Sequence, residues 1–165
     1  MVKKRKEARI AEILQAAVEE FSENGFVGAK IEAIAVRAGV AKGTVYIYYN
    51  TKEEVFEAIV RDRISPVFKL ISGIVKLWPG SQAMLLKQII SRFYSEIVEN
   101  EERRMILKTL ISESARFEDL AKFYFQEILV PARKMFKSIS KRVSKKESFV
   151  TPPLSTNQSL LWGQL

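Results

Sequence analysis

The chain has 165 residues, contains no cysteine and no histidine, and carries a formal net charge of +8 at pH 7. The missing residue types exclude disulfides and thiolate chemistry and remove the commonest general base and metal ligand, so we expect no enzyme, no metal and no cofactor. The excess of positive charge favours a polyanionic partner such as nucleic acid.

Apolar residues recur at helical spacing along the chain and glycine and proline are sparse, which predicts an all-α protein. The first helix is predicted over 4–23, with Glu20 on its solvent side and Gly25 in the turn that ends it. A short second helix over 31–38 and a third over 42–48 follow.

Longer helices make up the rest of the prediction, and the two prolines within them are expected to produce kinks because proline removes a backbone donor. These helices are predicted over 52–78 with a kink at Pro66, 82–99, 101–113, and 117–145 with a kink at Pro131. Thr51 (with Glu54 at capping-box spacing), Ser81 and Asn100 are predicted to cap three of them. We expect two domains, an N-terminal one over 1–50 and a helical body over 51–165.

The helix pair at 31–38 and 42–48 meets the requirements of a DNA-reading helix-turn-helix. The first helix carries the small residues Ala35 and Ala38, which allow a close crossing, and Gly39 makes the turn. The second helix opens with short groups, and its free N–H groups present a partial positive charge to a phosphate.

Six residues in and after the second helix of the pair are candidates for DNA contact. A glycine lets the backbone approach the DNA, hydroxyls can hydrogen-bond phosphates, and lysines add positive charge. The candidates are Lys42, Gly43, Thr44, Tyr46, Tyr48 and Lys52. The basic residues near the N-terminus, 3–6, form either a solubilising tail or an arm that touches the DNA.

The same stretch resembles the signature of TetR-family transcriptional regulators. The residues that carry the similarity are Ile34 and Ala35, the run 38–49 (AGVAKGTVYIYY) and the run 52–55 (KEEV), preceded by Ala16, Ala17, Phe21, Gly25 and Phe26. Beyond these residues the chain is similar to the family only in its layout of helices. The resemblance implies a three-helix DNA-binding head and a helical body that binds a ligand and forms a dimer.

The resemblance also implies a function, that of a repressor which binds a palindromic double-stranded operator as a homodimer and is released by a small-molecule effector. It places Lys30 beside the DNA backbone at the start of the second helix. The chain departs from the family in three places, which together involve four residues. Serine or threonine is common where it has Lys30 and its neighbour Ala29, serine where it has Ala41, and phenylalanine where it has Tyr49. The first two changes remove hydroxyls that cap a helix or bind phosphate.

The effector pocket is expected among the large apolar side chains of the body. Because such residues also form the core of any helical bundle, ordinary packing is the alternative for each of them. The pocket candidates are Trp78, Phe93, Tyr94, Met105, Phe117 and Tyr124. Arg92, Glu96, Glu113 and Arg116 are polar candidates for orienting a ligand.

No apolar run approaches the roughly 18 residues of a membrane span, and the basic N-terminus leads into an amphipathic pattern instead of a signal-peptide core. A cytoplasmic protein without membrane association is therefore expected. Family members usually continue for about two more helices, which form the dimer interface. The C-terminal helices are thus predicted to be incomplete, either because the protein is a shortened variant or because the natural protein is longer than this chain. Dimerisation is expected to be weaker, or to use a smaller surface from the apolar stretch 159–165 and the last long helix, 117–145.

A second interpretation follows from the basic residues of the last predicted helix. Seven of them lie at helical spacing: Arg133, Lys134, Lys137, Lys141, Arg142, Lys145 and Lys146. They form either a solvated face or a surface for an acidic partner or a membrane. The alternative function is therefore a helical protein that acts through protein or membrane-surface contacts.

Overall fold

The computed structural model of the protein describes residues 2–146, and all regular structure within them is helical, which confirms the predicted all-α class. The elements are α1 (Val2–Gly28), α2 (Ile31–Arg37), α3 (Lys42–Tyr48), α4 (Lys52–Arg63), α5 (Ser65–Leu77), α6 (Gln82–Phe93), a π-helical turn (Tyr94–Val98), α7 (Glu101–Ser114), α8 (Glu118–Tyr124), a second π-helical turn (Phe125–Leu129) and α9 (Val130–Lys146). The expectations for 147–165 lie outside the described residues.

The two glycines that were predicted to make turns in the head have the left-handed backbone that such turns require. Gly25 has a φ of 65° and Gly39 a φ of 63°, a region that side chains of L residues rarely adopt. Gly25 lies inside α1 and interrupts its helical backbone, which continues for one further turn to Gly28. The predicted end of the first helix is thus the position at which its direction changes.

The three predicted caps are all present. The side chains of Thr51, Ser81 and Asn100 accept hydrogen bonds from the backbone N–H groups three residues later, at 3.1, 3.3 and 2.9 Å. The Glu54 carboxylate accepts a hydrogen bond from the backbone N–H of Asn50 at 2.6 Å, one residue before the position that a capping box predicts. The local sequence therefore determines where α4, α6 and α7 begin.

Both prolines lie at irregular points of the helices, as predicted, but the irregularities differ in kind. The helix predicted over 52–78 is divided at Ile64 (φ −103°, ψ −48°), and Pro66 lies in the first turn of α5, where its missing N–H removes no helical hydrogen bond. The helix predicted over 117–145 instead contains the π-helical turn Phe125–Leu129, which comes just before Pro131.

A continuous apolar core joins the head, α1 to α3, to the body. Its centre is Phe56 of α4, which is fully buried with its ring centroid 5.3 Å from that of Phe21 and 5.4 Å from that of Phe26. The Phe26 ring also meets the ring of Phe117, the residue before α8, edge to face at 5.1 Å. We call these four rings, Phe21, Phe26, Phe56 and Phe117, the junction cluster. They pack the head against the body.

Within residues 2–146, no helix combines the length and the apolar character that crossing a membrane would require.

Candidate nucleic-acid interface

Helices α2 and α3 form the predicted helix-turn-helix. Helix α2 buries Ile31, Ile34 and Ala35, while α3 buries Val45. The turn between them is closed by a hydrogen bond of 3.0 Å from the backbone N–H of Val40 to the carbonyl of Ala35. Because Val45 faces the core, the opposite side of α3 faces the solvent.

The solvent-facing side of α3 carries Lys42, Gly43 and Tyr46, three of the predicted DNA contacts. It also carries Ile47, which is 77% exposed and is not among the residues predicted from the sequence to contact DNA. Val45 and Tyr49 are four residues apart, so they lie on the same face of the helix, where Val45 is part of the core and Tyr49 packs against it. This spacing would have predicted from the sequence that Ile47 lies on the other face. An exposed apolar side chain in this position is suited to contact with a thymine methyl group.

Lys42 is paired within the head. Its ammonium forms an ion pair with the Glu32 carboxylate of α2 and lies 5.6 Å from the centroid of the Tyr46 ring. The hydrogen bond between the two side chains raises the pKa of Lys42 and lowers that of Glu32. Since both side chains are about half exposed, a phosphate can displace Glu32 at little cost.

Lys52 is bound to the last turn of α1 and to the segment that follows it. Its ammonium donates hydrogen bonds to the carbonyl of Val27 at 3.0 Å and to that of Ala29 at 3.4 Å, and it lies 4.9 Å from the ring centroid of Phe26. This lysine was predicted from the sequence to face DNA. The structure gives it internal partners as well, so its phosphate contact stays a prediction.

Replacing Lys52 by alanine is expected to lower the free energy of unfolding by about 1–2 kcal/mol, because two carbonyls lose a charged donor. Denaturation in urea, followed by circular dichroism, measures the change. The matched control is Lys87→Ala, at an exposed position of α6, which should stay within about 0.5 kcal/mol of the wild type. Equal stability of the two variants would show that the Lys52 contacts contribute nothing.

The first turns of α2 and α3 lack side-chain caps, as the departures at Lys30 and Ala41 predicted. A carboxylate from α1 compensates in part. Glu20 accepts a hydrogen bond from the backbone N–H of Lys30 at 3.4 Å and one from Nε of Arg37 at 3.1 Å. The Lys30 side chain itself is exposed.

The prediction that Glu20 lies on the solvent side of the first helix was wrong, because its side chain is only 4% exposed. A buried carboxylate requires a partner, and Arg37 supplies it. Arg37 also pairs with Glu23, and the hydrogen bond to Glu23 is the main reason why the pKa of Arg37 is raised. These ion pairs connect α1 to the end of α2.

The remaining candidates, Thr44 and Tyr48, are half-buried and line a cleft of about 720 Å³ between α3 and the first turns of α1. The Tyr48 ring packs beside that of Tyr49, with 6.4 Å between the centroids. Tyr49 is also half-buried, and burial raises the pKa of its phenol. The structure thus places all seven candidates around the helix-turn-helix but not on one surface. Lys42, Gly43 and Tyr46 lie on the exposed face of α3, and Thr44 and Tyr48 line this cleft. Lys30 is exposed at the start of α2, and Lys52 contacts the carbonyls of Val27 and Ala29.

The six candidates for the effector pocket are not brought together. Phe117 belongs to the junction cluster, and Tyr94 is 54% exposed. Met105 lines a shallow cleft with residues of α1, while Phe93 and Tyr124 pack against the core. Helical spacing identified these side chains as apolar contacts, but it could not indicate which helix each one meets.

Two grooves lie along α5, and Trp78 is the one pocket candidate of the six that lines either of them. Its indole N–H donates a hydrogen bond of 2.9 Å to the carbonyl of Ser81. The apolar groove has a volume of about 480 Å³ and is lined by Lys69, Leu70, Gly73, Ile74, Leu77 and Trp78. A second groove of about 330 Å³ shares Lys69 and Gly73 with it and continues towards α9.

The basic residues of α9 that the structure describes, Arg133, Lys134 and Lys137, are exposed, whereas Met135 and Ile139 pack against the core. This is the arrangement of a solvated face on an amphipathic helix. The side chains from 141 onward lie outside the described part of the chain.

Comparison with known proteins extends these observations. Residues 13–59 match the family "Bacterial regulatory proteins, tetR family". The fatty acid metabolism regulator protein of Bacillus subtilis is 25% identical over 111 residues, which are 67% of this chain and 57% of the relative. The uncharacterized HTH-type transcriptional regulator TtgW of Pseudomonas putida is 32% identical over 114 residues, which are 64% of this chain and 85% of the relative.

Solved structures share the fold. A putative TetR-family transcriptional regulator from Mesorhizobium loti superposes with a TM-score of 0.66 and 26% identity, covering 84% of this chain and 71% of that one. The SmeT–triclosan complex has a TM-score of 0.72 at 24% identity, covering 86% of this chain and 70% of that one. The helix-turn-helix of α2 and α3 therefore lies in the same helical fold as in these regulators. The chain belongs to the tetR family of bacterial regulatory proteins.

Proposed function

We propose that the protein is a DNA-binding transcriptional repressor. The observation that carries this proposal is the solvent-facing side of α3, where Lys42, Gly43, Tyr46 and Ile47 lie together on the second helix of a helix-turn-helix. The chain spans 57% of the length of the Bacillus subtilis regulator, so the activity of the whole protein is part of the proposal. We place that activity in the cytoplasm.

On this proposal, α3 enters the major groove and divides its contacts by chemistry. Gly43 allows close approach of the backbone, Lys42 and Tyr46 bind phosphates, and Ile47 contacts a base. Lys30 adds a positive charge at the start of α2. The phosphate contacts supply much of the affinity, so binding should weaken as the salt concentration rises.

The operator is a palindrome bound by a homodimer, with half-sites about one helical turn, roughly 34–36 Å, apart or a multiple of it. The division into a DNA-binding domain over 1–50 and an effector and dimerisation domain over 51–165 belongs to the same proposal. In it, the body changes the spacing of the two heads when an effector binds.

The effector is a small molecule with a large apolar part, bound along α5. The grooves beside Gly73 support this, since one is lined by Leu70, Ile74 and Leu77 and both include Lys69. Two structural neighbours are described as complexes, SmeT with triclosan and the Bacillus subtilis regulator FadR with stearoyl-CoA. Triclosan is largely apolar, and stearoyl-CoA carries a long apolar acyl chain.

Replacing Tyr46 by alanine is expected to weaken operator binding about tenfold, or about 1.4 kcal/mol, because a phosphate loses a hydrogen bond. Its melting temperature should not change, since the side chain is 42% exposed. Fluorescence anisotropy measures binding to an inverted repeat taken from the DNA that flanks the gene. The matched control is Tyr94→Ala, at a residue 54% exposed on the body, and similar affinity of the two variants would refute the assigned face.

A further inference from the structure

The basic residues near the N-terminus are part of a helix. They were expected to form either a tail or an arm, but α1 begins at Val2. Arg5, Lys6 and Arg9 line one side of the 720 Å³ cleft whose other side is formed by Thr44 and Tyr48 of α3. A helix therefore presents these three cations beside α3.

Contacts within the cleft hold two of the cations in place. The Lys6 ammonium lies 5.9 Å from the centroid of the Tyr48 ring, within the range of a cation–π interaction. Nη1 of Arg9 donates a hydrogen bond of 2.7 Å to Oε2 of Glu12, which is the one acidic residue in the lining. Three positive charges against one negative charge leave the cleft with an excess of positive charge.

The position of the cleft relates it to DNA. Thr44 follows Gly43 directly on α3, and Tyr48 lies one turn later on the same helix. A strand whose backbone runs along the exposed side of α3 would therefore pass the mouth of the cleft. Guanidinium groups match the geometry of phosphate, and cations held on a helix lose less conformational entropy on binding than those on a flexible arm.

We propose that this cleft binds the phosphate backbone of one DNA strand, with Arg5, Lys6 and Arg9 as the binding cations. The proposal rests on the proposed function, because α3 is what brings the DNA to the cleft. Such phosphate contacts are independent of base sequence and strengthen binding to specific and non-specific DNA alike.

The test compares Arg5→Ala/Lys6→Ala/Arg9→Ala with the control Lys87→Ala/Lys108→Ala/Lys137→Ala, which removes the same charge from exposed positions of the body. Binding to an operator duplex and to a random duplex of equal length is titrated over salt by anisotropy. For the cleft variant we expect affinity for both duplexes to fall at least tenfold, and the slope of log affinity against log salt to decrease by about 2–3. For the control we expect the slope to be unchanged.

For a second variant we expect the affinity for DNA to rise instead of fall, and misfolding cannot produce such a gain. Glu12→Gln removes the negative charge from the cleft and should strengthen binding to both duplexes by about twofold to fivefold. An unchanged salt slope in the cleft variant, or an equal decrease in the control, overturns the proposal while leaving the proposed function intact. Failure of the wild type to bind either duplex overturns both.

Discussion

Replacing Phe56 by alanine is expected to lower the free energy of unfolding by about 3–5 kcal/mol. The side chain is fully buried, and its ring lies 5.3 Å from that of Phe21 and 5.4 Å from that of Phe26. Its removal opens a cavity in the junction cluster that the surrounding helices cannot fill by small shifts. Since small domains are stable by about 5–15 kcal/mol, this is a large share of the total.

Denaturation in urea measures this change, provided that the unfolding curves from fluorescence and circular dichroism coincide and so support a two-state analysis. The control is Phe136→Ala on α9, where the side chain is 61% exposed and the cost should be about 0.5 kcal/mol or less. A loss below about 1 kcal/mol for Phe56→Ala would mean that the junction cluster is not a tightly packed core.

Substitution of Gly43 is expected to raise the stability of the protein while lowering its affinity for DNA. A Cβ added to this residue meets nothing within 4 Å, so alanine fits the free protein. In α3 the change from glycine should stabilise the helix by up to about 1 kcal/mol. On the DNA side the new side chain holds the backbone away from the phosphates, so affinity should fall about tenfold for alanine and further for leucine.

Gly73→Ala is the matched control for this substitution. Gly73 lies inside α5 and has equally open space around an added Cβ, but it is on the body. Its replacement should give the same gain in melting temperature and leave operator binding unchanged. Wild-type affinity in Gly43→Ala would place the α3 backbone away from the DNA and contradict the proposed docking.

The elements of the head followed closely from the sequence because local signals determine them. The third helix was predicted over 42–48 and is observed as Lys42–Tyr48, and the second ends one residue earlier than predicted. Gly25 and Gly39 adopt positive φ for a reason that involves only their own backbone. The three caps act within one turn of helix, so they too could be predicted without knowledge of the fold.

Contacts between residues far apart in the chain were not predictable in the same way. Glu20 has the charge of a surface residue, and only its pairing with Arg37, 17 residues later, explains its burial. The partners of Lys52 are carbonyls at Val27 and Ala29, which carry no side-chain signal. Such pairings depend on how the helices cross, which periodicity within one helix does not determine.

The effector pocket shows the same limit. The aromatic side chains of the body have the period of a helix, but Phe117 meets the head and Trp78 faces a groove of α5. The proline at 66 predicted an interruption, yet the choice between a break at Ile64 and a π-helical turn, as found before Pro131, depends on packing.

The junction cluster has a consequence for anyone who wishes to transplant the DNA-reading part of this chain onto another protein. Its two α1 rings, Phe21 and Phe26, are covered by Phe56 of α4 and by Phe117 beside α8. A fragment cut after the third helix would expose both rings to water. A portable module would therefore have to run through α4 to Arg63, and a chimera would need an apolar side chain in its new partner to replace Phe117.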